Sequence, residues 1–367
     1  MTARSRWRYF TRNALTGAVL HPALPLAEVE FGAELNGPGS LSATLSPRWV
    51  KANTSTLQPG LAEIYAEADG MLRWGGLIWT VDPQDQEYRI EAASWSSYLN
   101  RRHDHHGNLD GRAPYVYQDP CVIIRDIWAY AQGQPDGNLG VVVDATTSNA
   151  KAGTPAEPWR SYWYETPVLG DLMDNLVDED AAAPQYTNLC SYQANGTIRK
   201  RLALGYPRLG ARRTDISFRS GVNIVSAPEV TYSADEYANV IIATGSGEGS
   251  STRFAVDPVR DGRLRLEHVL ALPTVNGVDV LGRRAAAERK RRQVMGEVTE
   301  ITIRDHPHAP LGSWQIGDDV QVSVHNAWTS WSGWCRIIAD AYRPSTHPDQ
   351  ATLTLRRADA YSYGAAS

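Results

Sequence analysis

The residues best suited to metal chemistry are the contiguous run His103-Asp104-His105-His106. Imidazole nitrogens and carboxylates are ligand types that zinc takes in proteins. However, four consecutive side chains cannot all converge on one ion without a special turn, and no second cluster has ligand spacing. A solvated linker between domains accounts for the same residues. We favour the linker, and we predict no metal and no other cofactor.

Two pairs of acids could imitate the carboxylate couple of a glycosidase: Asp82 with Asp85, and Glu297 with Glu300. Both pairs fall at predicted turns and strand ends, where solvated carboxylates are routine. We therefore predict no catalytic residues and no enzymatic activity.

A glycine-rich loop and a basic segment are the features that could bind nucleotides or nucleic acid. Gly245-Ser246-Gly247-Glu248-Gly249 follows a strand-like run, but it lacks the full phosphate-binding fingerprint and no helix follows it directly. Arg283 to Arg292 contains six basic residues without interleaved aromatic residues that could stack on bases. We interpret the loop as a turn, and the segment as a solvated helix face or a contact to an acidic neighbour.

Tryptophan is the most unusual feature of the composition, with 12 Trp and 17 Tyr against 4 Phe. Trp328, Trp331 and Trp334 are three positions apart, and Trp74 and Trp79 lie in a similar predicted strand. Exposed aromatics of this kind can form a sugar-binding platform, but barrel cores and subunit interfaces use the same residues. We favour core or interface, and we take Trp74, Trp79, Trp331 and Trp334 as the candidate binding residues.

The elements that must position these tryptophans are strands. Leu57 to Leu99 is predicted to form three strands joined by short turns, the first of which ends at the turn residues Asp69-Gly70. The second strand contains Gly75-Gly76, a pair that usually marks a bulge or a barrel corner. Such a three-stranded meander typically curls into a small barrel.

The same pattern returns near the C-terminus at an offset of 257 positions. Gln58-Pro59-Gly60 matches Gln315-Ile316-Gly317, and Trp74-Gly75-Gly76 matches Trp331-Ser332-Gly333. Strand, turn and Trp-x-Gly strand follow in the same order. We therefore predict two similar small β-barrels in one chain.

Between the two barrels, helical spacing predicts helices over 121–131 and 168–177 and, further on, over 278–295. The predicted fold is mainly β with α+β inserts. Its parts are a first barrel (1–102), an inserted α+β module (103–212), a second barrel (213–249 and 298–360), a helical insert packing with the α+β module (250–297) and a tail (361–367).

Bulk properties restrict the function. A chain of 367 residues is long enough for two or three domains, and a net charge of −5 provides no general polycation for nucleic acid. Three widely spaced cysteines imply no disulfide framework. We also expect no signal peptide and no membrane span, because no apolar run has the necessary length.

The opening segment TGAVLHPALPLAEVEFGAELNGPGSLSATLSP, the repeated barrel and the inserted module resemble minor tail proteins of long-tailed actinobacterial phages. More broadly, the chain is similar to the hub protein of phage baseplates and contractile injection machines. The segment Leu35 to Leu41 and the two Trp-x-Gly strands carry the resemblance most specifically.

The resemblance implies a structural tail-tip hub at the distal end of the virion tail. A homotrimer would present six similar barrels, adapt the sixfold tail tube to a threefold tip and line the channel through which DNA leaves. Its implied partners are a distal tail protein or the last tube ring above, and tip, spike or tape-measure proteins below. The alternative is a carbohydrate-binding or cell-wall-degrading tail protein that acts on host surface glycans. A hub of a non-phage injection machine is a third alternative.

Overall fold

The computed structural model describes residues 7–84, 87–177, 183–227, 234–235, 237–273, 275, 277–293, 298–328 and 330–358. The protein is mainly β, and one of its several sheets forms a half-barrel. No helix within these ranges combines the length and the apolarity needed to cross a bilayer. Asp85, Glu297 and the predicted tail over 361–367 lie outside the described residues.

The strands follow one another along the whole chain. They are β1 (Trp7–Asn13), β2 (Val19–His21), β3 (Ala27–Gly32), β4 (Ser40–Leu45), β5 (Ala62–Ala68), β6 (Met71–Pro83), β7 (Tyr88–Ala93), β8 (Val141–Val143), β9 (Gln185–Tyr192), β10 (Ile198–Gly205), β11 (Arg212–Arg219), β12 (Ile224–Ser226), β13 (Val240–Thr244), β14 (Phe254–Pro258), β15 (Glu267–Ala271), β16 (Glu300–Arg304), β17 (Asp319–His325), β18 (Ser330–Ala341) and β19 (Gln350–Arg357). The helices are α1 (Pro47–Ala52), α2 (Asn108–Gly111, a single turn), α3 (Pro120–Gly133), α4 (Leu169–Asp174) and α5 (Val278–Arg292).

The first sheet contains seven strands in the order β2-β1-β5-β6-β7-β4-β3. The predicted meander is confirmed: β5, β6 and β7 pair antiparallel in succession. Asp69 and Gly70 form the first turn with φ of 51° and 80°, values that Asp tolerates and Gly adopts freely. Every residue of β5 is buried because both faces of the sheet are covered.

The second sheet repeats this arrangement with the order β11-β17-β18-β19-β16-β12. Strand for strand, it corresponds to β1-β5-β6-β7-β4-β3 of the first sheet. The two sheets differ at one end, where β1 pairs antiparallel with β5 but β11 pairs parallel with β17. Six strands in one order, formed by two distant parts of the chain, are the structural counterpart of the repeat predicted from the sequence.

The two sheets meet along the end of β3 and the segment that follows it. Phe31 and Tyr342 exchange backbone hydrogen bonds of 3.1 and 2.7 Å, and the N–H of Leu35 donates to the carbonyl of Ile338 at 2.8 Å. The rings of Phe31 and Tyr342 stack at 5.1 Å. One continuous hydrophobic core includes inward-facing residues of both sheets. The two copies are therefore fused rather than linked by a flexible hinge.

The inserted α+β module covers the other face of the first sheet. Its sheet has the order β8-β10-β9, and α3 packs a buried stripe against it and against Tyr65 of the first sheet. Asp119 caps α3 by accepting a 2.8 Å hydrogen bond from the N–H of Cys121, and Pro120 occupies the first turn, where its missing donor costs nothing. The two helices predicted here correspond to α3 and α4.

A fourth sheet, β14-β13-β15, differs from the expectation for this region. Val240 to Ala243 was expected in the second barrel, but β13 pairs only with β14 and β15 among the described strands. The predicted helical insert over 250–297 contains these two strands as well as α5. This helix packs on β13 and β14 of its own sheet, whereas the sequence placed it against the inserted module. An apolar run predicts a strand, but it does not reveal which sheet the strand joins.

Candidate functional site

Trp74 and Trp331 occupy equivalent positions in the two sheets. Trp74 lies opposite Ala66 of the preceding strand, and Trp331 lies opposite Val324. A Cβ atom on Gly76 would be 2.5 Å from the Trp74 ring, and one on Gly333 would be 2.8 Å from the Trp331 ring. In both copies, therefore, the glycine of the Trp-x-Gly motif makes room for the indole two residues earlier.

Both of these indoles belong to the shared core. Trp74 is 3% exposed, and its Nε1 donates to the carbonyl of Gly32 at 3.0 Å. Trp331 is half-buried and packs against the same core. Their environment fits the barrel-core alternative of the sequence prediction rather than a free platform for sugar.

Trp79 and Trp334 are half-buried and each lies beneath a guanidinium group. Arg101 is 5.6 Å from the ring of Trp79, and the indole N–H of Trp79 donates to Ser97 Oγ at 2.8 Å. Arg212 is 4.8 Å from the ring of Trp334. These partly open aromatic–cation pairs have the amphipathic character that interfaces use. A role for any of the four tryptophans in binding remains a prediction.

The histidine run is tied into the structure by its own hydrogen bonds. Asp104 is fully buried and accepts the N–H of Leu109 at 2.8 Å. His103 contacts the carbonyl of Thr166, and His106 contacts the hydroxyl of Tyr130, both at 2.8 Å. Among the residues with described positions, no group of three or more potential ligands is arranged to hold a metal ion. The buried Asp104 therefore anchors the run, whereas the three histidines are exposed.

The glycine-rich loop and the basic helix also have structural partners. Gly245 to Gly249 lies in the connection between the antiparallel strands β13 and β14. In α5, Arg289 pairs with Asp257 at 2.6 Å, and Arg292 pairs with Glu288 at 2.6 Å. Much of the positive charge of α5 is thus balanced by acids of the same chain, which favours the interpretation as a contact to an acidic neighbour.

The acid pairs are not assembled into a couple in the described part of the chain. Asp82 lies near the end of β6, where the side chain of Gln84 donates to it at 3.3 Å. Glu300 is exposed at the start of β16. The other member of each pair is outside the described ranges.

Sequence patterns did not reveal a carboxylate at the junction of the two large sheets. Asp340 accepts the N–H of Ala33 at 2.9 Å and the indole N–H of Trp314 at 3.4 Å. Burial raises the pKa of Asp340 from its ordinary value near 3.8 to about 6, although these donors oppose the change. A half-buried carboxylate with a raised pKa therefore lies where the first copy meets the second.

We expect Asp340 to make stability fall as pH rises through the range between 3.8 and about 6. The native carboxyl holds its proton more tightly than the unfolded chain does, so its contribution is most favourable below the unfolded pKa. Between about pH 4.5 and about pH 7.5, the free energy of unfolding of the wild type should fall by roughly 2 kcal/mol more than that of Asp340→Asn. Urea unfolding of both proteins at the two pH values tests this, and parallel pH profiles would contradict it.

Buried polar contacts also join the inserted module to each of the two large sheets. Arg336, which is fully buried on β18, donates to the carbonyl of Leu209 at 3.0 Å. Lys200 of β10 pairs with Glu63 of β5, where the side chains are 11% and 1% exposed. The sequence does not predict these pairings, because the partners are far apart in the chain. Lys200 and Glu63, for example, are separated by 137 positions.

Comparison with solved structures shows which proteins share this fold. The chain is similar to the 43 kDa tail protein of prophage MuSo2 from Shewanella oneidensis, with a TM-score of 0.61 and 14% identity over 97% of this chain and 100% of that one. It is also similar to the tail protein from Neisseria meningitidis MC58, with a TM-score of 0.54 and 15% identity over 97% of this chain and 100% of that one.

A third similar structure is the prophage tail protein gp18 from Listeria monocytogenes EGD-e, with a TM-score of 0.53 and 11% identity over 96% of this chain and 95% of that one. No protein-family model matches the chain, and no curated protein matches it significantly. The chain has the fold of phage tail proteins. The similarity extends to tail proteins in general and does not single out the narrower actinobacterial group.

Proposed function

We propose that this chain is a structural hub protein of a phage tail tip, without enzymatic activity. The observation that carries the proposal is the repeat: two sheets with six strands in the same order share one core. A chain with two similar units can occupy two positions of a sixfold arrangement. Similarity in fold to three tail proteins supports the same assignment.

The two large sheets are proposed to be the two barrels. The first comprises residues 1–102. The second comprises β11, β12 and the region 298–360, so its earlier part is shorter than the predicted 213–249. The inserted module over 103–212 lies between them in sequence, and β13–β15 with α5 form a further small unit. Curling a sheet into a barrel removes free edges that would otherwise pair with other chains.

Three chains are proposed to form a closed ring in which six barrels surround a channel. Such a ring would match a sixfold tail tube on one side and a threefold tip on the other. Cyclic assemblies repeat one interface until the ring closes. A net charge of −5 per chain is compatible with a bore that lets DNA pass, since a lining of Lys and Arg would release counterions and hold the phosphates.

The proposed location is the distal end of the virion tail. A distal tail protein or the last ring of the tube would contact one face of the ring. Tip, spike or tape-measure proteins would contact the other. DNA would pass through the ring without sequence recognition.

Native mass spectrometry of the purified chain, with negative-stain images of particles labelled on it, tests the proposal. We expect a mass of three chains, a ring in projection and a label at the tail end. A chain that stays monomeric at all concentrations, or a label along the tail or on the capsid, would contradict the hub function.

The alternative function is binding or hydrolysis of host glycans. One observation favours it: Trp328, in the turn between β17 and β18, is 82% exposed. An exposed indole can stack on a sugar ring. A monomer that binds or releases cell-wall glycan in the same preparations would support this alternative over the hub.

A further inference from the structure

In the described part of the chain, the small sheet β14-β13-β15 has one face covered by the helix α5. On that side Ile241 and Ala243 of β13 pack against Leu281 and Ala285 of α5, and all four are buried. Side chains alternate along a strand, so the intervening residues point to the opposite face. Among the elements that the structure describes, none contacts that face as extensively as α5 contacts the first one.

The residues of this opposite face are almost all apolar. Cross-strand register places them in three rows, which are Thr244–Phe254–Ala271, Ile242–Val256–Val269 and Val240–Pro258–Glu267. We call these nine residues the open face; the edge strands β14 and β15 expose it most, whereas Val240 of the central strand is 2% exposed. Phe254, Val256 and Val269 are 64%, 43% and 57% exposed. Contiguous exposed apolar surface of this kind marks an interaction site on a folded protein.

One end of the open face adjoins a pocket with excess positive charge. The pocket is lined by Val240 and Pro258 of the open face together with Arg260, Arg263 and Arg265. Arg263 pairs with Asp261 at 3.3 Å, and Arg265 pairs with Glu267 at 2.5 Å. Three arginines face two acids, so a partner that places a carboxylate here is favoured.

A segment with the complementary chemistry occurs in the same chain. Tyr162, Trp163 and Tyr164 are 46%, 47% and 66% exposed, and the exposed carboxylate of Glu165 follows them. Neighbouring rings contact edge to face at 5.9 and 6.0 Å. The buried Ser161 anchors the segment by donating its N–H to Asn108 at 3.0 Å. We call Tyr162 to Glu165 the aromatic segment.

We propose that the open face of one copy receives the aromatic segment of a neighbouring copy, with Glu165 directed to the arginine pocket. The inference rests on the proposed ring and adds a specific contact to it. Each chain carries both halves, so the contact is heterologous, the type that closes rings. Three strands about 4.8 Å apart and five residues long offer roughly 240 Å². A standard interface takes about 800 Å² per partner, so this contact supplements a larger one.

Val256→Glu combined with Val269→Glu tests the open face. Both side chains are exposed, so the fold should persist, but two carboxylates would be desolvated in the contact. We expect the concentration at which half of the trimer dissociates to rise about tenfold or more, as measured by sedimentation. The matched control is Val278→Glu, which introduces the same change at a 52% exposed position on the helical layer of this unit. The control should assemble like the wild type.

Paired cysteines and a charge reversal test the occupant. Val269→Cys with Tyr164→Cys in one chain should give covalent dimers and trimers on oxidation, whereas Val278→Cys with Tyr164→Cys should not. Glu165→Arg should weaken assembly, and adding Arg260→Glu should restore it. These results do not depend on the double glutamate variant folding.

The outcomes separate this inference from the hub function. A wild-type trimer whose assembly the open-face variants leave unchanged would overturn the inference and leave the ring intact. Weakened assembly without the specific cross-link would overturn the assignment of the aromatic segment. A wild-type monomer would overturn both the ring and this contact.

Discussion

Replacing Trp74 with alanine is expected to lower the free energy of unfolding by about 3–5 kcal/mol, the usual cost of truncating a buried tryptophan. The indole is 3% exposed, packs in the core that both sheets share and donates to the carbonyl of Gly32. Alanine would leave a cavity above Gly76 and remove the indole donor of the Gly32 carbonyl, on the strand beside the sheet junction. Urea unfolding followed by far-ultraviolet circular dichroism measures the loss.

The matched control is Trp328→Ala, which removes the same side chain at an 82% exposed position. It should change stability by less than about 0.5 kcal/mol. Trp331→Ala should fall between the two, because its indole is half-buried. If Trp74→Ala instead keeps wild-type stability and loses only assembly, Trp74 is an interface residue rather than part of the core.

The differences between the two copies bear on the symmetry that the proposed ring of three chains would have. β1 enters the first sheet antiparallel to β5, whereas β11 arrives from the inserted module and runs parallel to β17. The first copy also has an additional edge strand, β2. The copies therefore agree in the central strands and differ at one edge. A ring of three such chains would be close to sixfold where the central strands lie and threefold where the edges lie.

The central strands were predictable from the sequence because each alternates between a core face and a second face. In β17, Val320, Val322 and Val324 face the core, and Ile64 and Ala66 do so in β5. The Trp-x-Gly match was predictable as well, since an indole over a glycine depends on residues only two positions apart. Both the alternation and the Trp-x-Gly match depend only on residues that are close together in the sequence.

Other features depend on contacts that no local pattern contains. The sequence did not predict β14 and β15, because the helix was the clearest pattern in the 250–297 region. In addition, the exposed face of these two strands is largely apolar, so the usual alternation of apolar and polar residues is missing. The carboxylates of Glu63 and Asp340 fall in strands, where an acid predicts a solvated face. Both are instead enclosed by residues distant in sequence, at the surfaces where the module or the second copy packs.

Lys200→Met is expected to destabilise the protein by about 3–5 kcal/mol at neutral pH. Lys200 pairs with Glu63, which is 1% exposed and also accepts a 2.7 Å hydrogen bond from the hydroxyl of Tyr65. Burial already raises the pKa of Glu63, and Lys200 opposes that change. Without the ammonium group, the carboxylate would remain buried between the first sheet and the inserted module, where the hydroxyl of Tyr65 and the charge of Arg12 would stabilise it.

Two comparisons distinguish this charge effect from lost packing. The double variant Glu63→Gln with Lys200→Met should recover most of the stability, because it removes the buried charge, whereas a packing defect would persist. The cost of Lys200→Met alone should also shrink as pH falls, because the raised pKa of Glu63 lets the native state take up a proton that the unfolded chain still lacks. Lys151→Met, at an exposed site, should change stability by less than about 0.5 kcal/mol at any pH. The cost of Lys200→Met could instead be independent of pH and persist in the double variant. That result would show that the pair stabilises the protein by packing and not by its charge.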